Sequence, residues 1–247
     1  MKLSVQNYTL RAAFENDVYG TFEALSSMGL RYCEFAGLYG KPANELRALL
    51  DGIGMSVSGA HVGMDRAEDD TEALMDELDI LGTKAMIVPW MDKASYENGW
   101  VAVRDRLATV QDRIAARGFS ILYHNHDFEF QPDAQHPDMT GFDVILENEK
   151  LDVEIDLMWV AHAGFDPIAY LDKAAGRVPF VHLKELCKER GKDIEAGKGL
   201  MAWDAILPAC DRVGVEFGVI EMDNPPQDPI VSVRECVEFF RAKGITE

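Results

Sequence analysis

Basic residues are scarce in this chain: 24 lysines and arginines stand against 43 aspartates and glutamates, a formal charge of −19. A nucleic-acid surface needs a basic stripe, so that class of partner is excluded. The same imbalance gives no long-range pull on phosphorylated molecules. Cysteine is sparse as well. Cys33, Cys187, Cys210 and Cys236 form no CxxC pair, which reads as reduced, mostly buried thiols in a cytoplasmic protein. No apolar run reaches the roughly 18 residues of a membrane span. The opening Met1–Gln6 is too short an apolar run for a signal peptide. Low-complexity segments and linkers are lacking, and so is a compact phosphate cradle. Gly197-Lys198-Gly199 comes nearest, and a lone Gly-x-Gly reads as a loop turn.

What the chain does have is an alternation of strand-like and helix-like segments from end to end. Strands are expected at Leu3–Gln6, Arg31–Phe35, Ser56–His61, Ala85–Val88, Phe119–His126, Val153–Asp156, Val178–Lys184 and Val215–Glu221. Between them lie amphipathic or capped segments: Val18–Met28, Pro42–Leu50, Thr71–Leu81, Trp100–Ala116, Phe142–Glu147, Pro167–Lys173, Trp203–Val213 and the closing Val231–Ala242. Gly29, Gly82 and Gly118 stand where three of these helices should stop. Eight alternations without a second composition regime predict a single parallel α/β domain over residues 1–247. The length is close to the ~250 residues of a (β/α)8 TIM barrel.

Buried parallel strands should be almost wholly apolar. Four of these end instead on residues that can bind a metal: His124, Asp156, His182 and Glu221. Barrel strands point alternate side chains inward. On that basis His124 and His126 share a face, as do Asp152, Glu154 and Asp156, His182 and Lys184, and Val219 and Glu221. If those faces point inward, Asp156, His182, Glu221 and His124 meet at the C-terminal mouth. Two carboxylates with one or two imidazoles suit a divalent cation with open positions. Mn2+ leads, because carboxylate-rich ligation favours the harder ions, and Mg2+, Co2+, Fe2+ and Zn2+ stay in range. Any one of these residues alone reads equally well as a strand-end polar group satisfied by a neighbour. His61 ends the third strand and is as readily a satisfied pocket histidine as a functional one. Glu34 could bind a substrate hydroxyl or pair with a buried Lys or Arg. Trp90, Trp159 and Phe128 could wall a sugar ring or simply pack. His136 and His162 are read as non-functional.

Motifs in order along the chain carry a resemblance. They are His124-Asn125-His126-Asp127-Phe128-Glu129-Phe130, Asp156-Leu157-Met158-Trp159, Ala163-Gly164-Phe165-Asp166-Pro167, Val181-His182-Leu183-Lys184-Glu185 and Ile220-Glu221-Met222-Asp223. The set resembles the sugar phosphate isomerase/epimerase family of xylose-isomerase-like barrels, which also includes inosose dehydratases and ketose 3-epimerases. The resemblance implies a divalent metal on Asp156, His182 and Glu221, with His124 where the epimerases usually carry a glutamate. That departure sets aside a mechanism of two metal-bound glutamates and points toward the inosose-dehydratase-like branch. The common chemistry is proton abstraction next to a carbonyl through a metal-stabilised enediolate. Glu221 is the expected base, His126 or His124 the group returning a proton, and Lys184 a donor to substrate oxygen. The expected activity is isomerisation or epimerisation of a small sugar or keto-polyol. A dehydratase on the same site, or a carbohydrate-binding barrel without catalysis, are the alternatives. The resemblance also allows a homo-oligomer.

Overall fold

Eight strands of four to six residues run parallel in one sheet. They are β1 (Lys2–Val5), β2 (Tyr32–Phe35), β3 (Ser56–His61), β4 (Ala85–Val88), β5 (Ser120–His124), β6 (Asp152–Asp156), β7 (Phe180–Leu183) and β8 (Phe217–Ile220). The computed structural model describes residues 1–189 and 191–245. The ladder runs from β2 in sequence order to β8 and then to β1. Between β1 and β2 the wall closes through a single parallel bridge, Gln6 to Glu34. The Gln6 side chain reinforces it, donating from Nε2 to Glu34 Oε1 at 2.7 Å. The result is the expected (β/α)8 barrel.

Helices between the strands bury one face against the outside of the wall. Thr71–Leu81 sets Leu74, Met75, Leu78 and Leu81 inward at helical spacing and stops at Gly82, whose φ of +85° suits a residue without a Cβ. Thr71–Leu81, Pro167–Lys173 and Trp203–Val213 have the bounds expected from sequence. Shorter helices at Met64–Asp69, Lys93–Tyr96 and Leu157–His162 were not expected. At four to six residues they fall below the window in which periodicity can be read. His162 ends the last of these.

The barrel interior is layered. At its N-terminal end Ile87, Leu122, Phe180, Phe217 and Val219 form an apolar plug of their own. The Lys2 ammonium closes that end over the rings of Tyr32 and Phe217. Above the plug the interior turns polar. Ser4 and Ser58 hydrogen-bond at 2.8 Å, and the layer beyond contains Gln6, Glu34, His61, His124, Glu154 and His182, all but His61 fully buried. On β3 one extra residue lies between Val57 and Ala60, opposite Cys33 to Phe35 of β2. Such a bulge re-aims the side chains beyond it, and the side chain it re-aims here is His61.

Candidate metal centre

The sequence of β6, Asp152-Val153-Glu154-Ile155-Asp156, alternates cleanly. Val153 and Ile155 point outward into the helix layer, and Glu154 and Asp156 point into the barrel with no exposed surface. Asp156 also caps the helix Leu157–His162, its Oδ1 accepting from Trp159 N at 3.0 Å. Its other oxygen, Oδ2, is buried without a partner. Burial holds this carboxyl up at about 7.

The last residues of β7 and the chain just beyond β8 supply three more groups. His182 Nδ1 lies 2.9 Å from Glu221 Oε2. The Lys184 ammonium donates to the same oxygen at 3.3 Å and to Asp223 Oδ2. Burial disfavours the charge on Lys184, but Glu221, Asp156 and Asp223 overcome it and raise its pKa. Glu221 is likewise opposed by burial, and Lys184 and His182 hold it well below the usual carboxylate range. The ligating atoms of His124, Asp156, His182 and Glu221 lie within 4.8 Å of one another, all four residues buried.

Beneath this set lies a second ring of contacts. Glu154 Oε2 lies 3.0 Å from His124 Nδ1, 3.0 Å from His61 Nε2 and 3.1 Å from His182 Nε2. Glu34 Oε1 lies 3.0 Å from both His61 Nε2 and His182 Nε2. Burial pushes His61 down, and the two carboxylates outweigh it and raise it to about 9. In His124 burial prevails, with the charge of His182 adding to it, and its pKa falls to about 3. Glu34 was expected to meet a substrate hydroxyl or a Lys or Arg. It meets Gln6, His61 and His182 instead.

The donor set fits a divalent cation. A neutral imidazole carries one N–H. In His182 the carboxylates of Glu34 and Glu154 claim it at Nε2. Nδ1 then faces a carboxylate oxygen at 2.9 Å, a contact satisfied by a second proton on His182 or by a cation shared between the two groups. The unpartnered Oδ2 of Asp156 is a further acceptor without a donor. Two oxygens and two nitrogens suit Mn2+, Fe2+, Co2+ or Zn2+.

A cavity of about 430 Å3 opens above the cluster, lined by His61, His124, His126 and Glu221 with Tyr8 and Trp90 among the other residues. β5 was expected to run to His126, yet it stops at His124. The cause is Asn125, whose amide donates to Asp156 O and accepts from Asp156 N, taking the place of the next rung of the ladder. His126 N then donates to Glu129 Oε2, and Tyr123 OH donates to Glu129 Oε1. The His126 ring stacks on Phe128 at 5.7 Å, its Nδ1 buried without a partner. Burial pushes this imidazole down to about 4. Trp159 packs its ring between the His126 ring and the Lys184 ammonium. Trp90 is 57% exposed at the cavity rim. Glu154, Gln6, Tyr8 and Asp223 belong to the site and were not assigned to it from sequence. Glu154 was placed on the inward face of its strand, and the signal available was a glutamate inside a predicted buried strand.

A parallel eight-stranded barrel with a buried carboxylate–imidazole cluster at the C-terminal strand ends is the architecture of barrels that place their working site on that face. The family model described as xylose isomerase-like TIM barrel matches residues 22–243, and the chain belongs to that family. Among solved structures it is similar to a sugar phosphate isomerase/epimerase from Parabacteroides distasonis ATCC 8503, at 19% identity and TM-score 0.86 over 100% of this chain and 99% of that one. A probable 3-DHS dehydratase from Bacillus anthracis aligns at 11% identity and TM-score 0.74, covering 98% and 99% of the two chains. An L-ribulose 3-epimerase aligns at 16% identity and TM-score 0.68, covering 98% and 94%. No curated protein matches. No helix among the described residues is long and apolar enough to cross a membrane.

Proposed function

We propose that this chain is a divalent-metal-dependent isomerase or epimerase acting on a small sugar or keto-polyol by removing a proton next to a carbonyl. The observation that carries this reading is the convergence of His124, Asp156, His182 and Glu221 within 4.8 Å, with His124 and Glu221 lining the cavity. These four residues would hold the metal, with Mn2+ the leading ion. When bound, a divalent cation supplies Lewis-acid stabilisation for negative charge growing on substrate oxygen.

The remaining work falls to the chain's own groups. Glu221 stays ionised through its contacts with Lys184 and His182, so it is available as the base. Lys184, held by Glu221 and Asp223, keeps its charge and steadies an adjacent substrate oxygen. His126 faces the same cavity with Nδ1 unpartnered and is the second group available to relay a proton. Trp90 supplies flat apolar surface at the cavity, Trp159 backs His126 and Lys184 from outside its lining, Glu34 and His61 hold the floor, and burial of the cluster limits access of water.

A second reading, a lyase of the inosose dehydratase type, draws on one specific feature. Two opposed glutamates do not face the cavity. Glu221 lines it, and Glu154 is sealed beneath it with no exposed surface. Elimination of a β-hydroxyl needs one base to remove the proton and one acid, such as Lys184 or His126, to protonate the hydroxyl as it leaves as water, so it does not call for two opposed glutamates.

The test is elemental analysis of the purified protein combined with incubation of ketoses in D2O. Stoichiometric transition metal and chelator-sensitive deuterium incorporation without loss of water support the isomerase reading. Loss of water with the same metal dependence supports the lyase. A protein without metal that gains no stability from Mn2+ overturns both and leaves a barrel that only binds carbohydrate.

A further inference from the structure

His124 and His182 both approach the cluster from inside the wall, and each presents a different ring nitrogen to it. His124 directs Nδ1 to Glu154 Oε2 at 3.0 Å, and among the described residues its Nε2 makes no hydrogen bond. His182 is reversed. Its Nε2 sits between Glu34 Oε1 and Glu154 Oε2, at 3.0 and 3.1 Å, and its Nδ1 faces Glu221. The two carboxylates beneath the rings have no exposed surface. Each also keeps one oxygen without a partner, Oε2 of Glu34 and Oε1 of Glu154. Burying two such carboxylates side by side is costly unless each holds a donor. The donors within reach are the imidazole N–H groups and the Gln6 amide.

We infer that Glu154 and Glu34 are positioning residues that fix the tautomers of the metal-facing histidines, so that His124 binds through Nε2 and His182 through Nδ1. The inference rests on the metal-centre reading given above. An imidazole donating one N–H to a carboxylate offers an electron-rich lone pair at the other nitrogen, and its ring cannot rotate away. Glu154 serves both histidines, and Glu34 serves His182 alone. Gln6 fixes Glu34 from the closing edge of the barrel. His61 spans both carboxylates and stacks on His182 at 5.5 Å, with the two planes 5° apart. It therefore sets the separation of the pair.

The first measurement is the imidazole 15N spectrum of the full-length protein loaded with Zn2+, a diamagnetic probe. The inference expects one histidine ligated at Nε2 with a protonated Nδ1, assigned to His124 by its loss in His124→Gln. A second histidine, lost in His182→Gln, is expected with the opposite pattern. Both histidines ligated through the same type of nitrogen would overturn it. The second measurement is Mn2+ affinity by calorimetry, well below the unfolding temperature, for Glu154→Gln, Glu34→Gln and the unaltered chain. Mutation of such a carboxylate weakens metal affinity by about 10–100-fold, and Glu154→Gln is expected to lose more than Glu34→Gln. Unchanged Mn2+ affinity in a folded Glu154→Gln protein would assign Glu154 to stability alone and reject the inference. If the unaltered chain binds neither metal, the metal-centre reading fails and the inference goes with it. If it binds metal with the wrong nitrogens, the inference alone fails.

Discussion

Nδ1 of His182 on β7 and Oε2 of Glu221 just beyond β8 stand 2.9 Å apart, the imidazole sealed in the barrel and the carboxylate lining the cavity. With its Nε2 already engaged, His182 can meet that oxygen only by carrying a second proton or by sharing a cation with it. The raised pKa of His182, which the surrounding carboxylates maintain against burial, describes the first state. A bound metal describes the second. On the proposed function, His182→Ala should reduce metal content to near zero and abolish the rise in melting temperature on adding Mn2+. Glu221→Gln should lose turnover at least as severely as it loses metal, because the proposed function makes this carboxylate both ligand and base. Metal analysis beside kcat for both variants checks the pair. A His182→Ala protein that retains full metal would place the ion elsewhere.

Exchanging His124 for glutamate tests the same centre with opposite chemistry. The new carboxylate would stand where an imidazole now lies 3.0 Å from Glu154 Oε2, so two buried anions would face each other. Like charges at that separation disfavour joint ionisation. His124→Glu is therefore expected to fold less stably and bind Mn2+ more weakly than the unaltered chain. Adding Glu154→Gln removes the repulsion and should recover part of both losses. The non-additivity of the double mutant measures the coupling, for which about 0.5–3 kcal/mol is typical of residues in one network. Strictly additive effects would mean that the two side chains do not interact.

Gly59 lies where the apolar plug meets the polar layer. A Cβ there would come 2.8 Å from Ile87 Cδ1 and 3.4 Å from both Glu34 Oε2 and Phe180 Cε1. Gly59→Ala should cost roughly 1–3 kcal/mol through overpacking, read as a lower denaturant midpoint. Because Glu34 is one of the crowded neighbours, metal affinity should fall too. A midpoint equal to that of the unaltered chain would show that Ile87 can move aside freely.

Asp133 ties the loop after β5 to the start of the helix Val101–Ile114. Its Oδ2 accepts from Trp100 N at 2.7 Å, and its Oδ1 from Gln135 N at 2.9 Å and His136 N at 2.8 Å. Burial acts to raise its pKa, but the three N–H donors prevail and lower it. A carboxyl whose folded pKa is depressed adds stability that is fully present above its unfolded value, about 3.9. That stability is lost as pH falls through the folded value. Asp133→Asn replaces one acceptor with a donor facing N–H and should cost about 1–3 kcal/mol near neutrality. Below pH about 4 the gap between the two proteins should narrow. Urea unfolding at neutral pH and at progressively lower pH tests this, and a constant gap would rule out Asp133 as its source.

Much of this could be read from the chain. Asp156, His182 and Glu221 were visible because each interrupts an apolar strand at its end, and strand alternation alone aims all three into the barrel. The remainder depends on partners distant in sequence. Glu154 gains its role from His61, His124 and His182 on three other strands, and no local pattern encodes that meeting. Nor does propensity reveal the end of β5, where the side chain of Asn125 pairs with the backbone of Asp156 in place of a ladder partner. Residues Asn125 and Glu129 of the motif that carried the resemblance therefore act as fasteners for the loop. Glu129 receives the His126 amide and the Tyr123 hydroxyl and so holds His126 over the cavity.

Trp90 separates recognition from folding. It follows β4 at the cavity rim, is 57% exposed, and makes no ring contact or hydrogen bond with the described residues. A large aromatic more than half exposed contributes little to stability, and surface substitutions of this kind usually stay within about 0.5 kcal/mol. Against a sugar ring its flat face would be covered, and aromatic contacts of that type contribute about 0.5–1.5 kcal/mol. Trp90→Ala should then leave the melting temperature and Mn2+ affinity unchanged while raising KM roughly 2- to 10-fold, with kcat largely retained, because ground state and transition state lose the same contact. A fall in kcat with KM unchanged would instead move Trp90 into the chemistry. No kinetic change at all would make it surface that the substrate never touches.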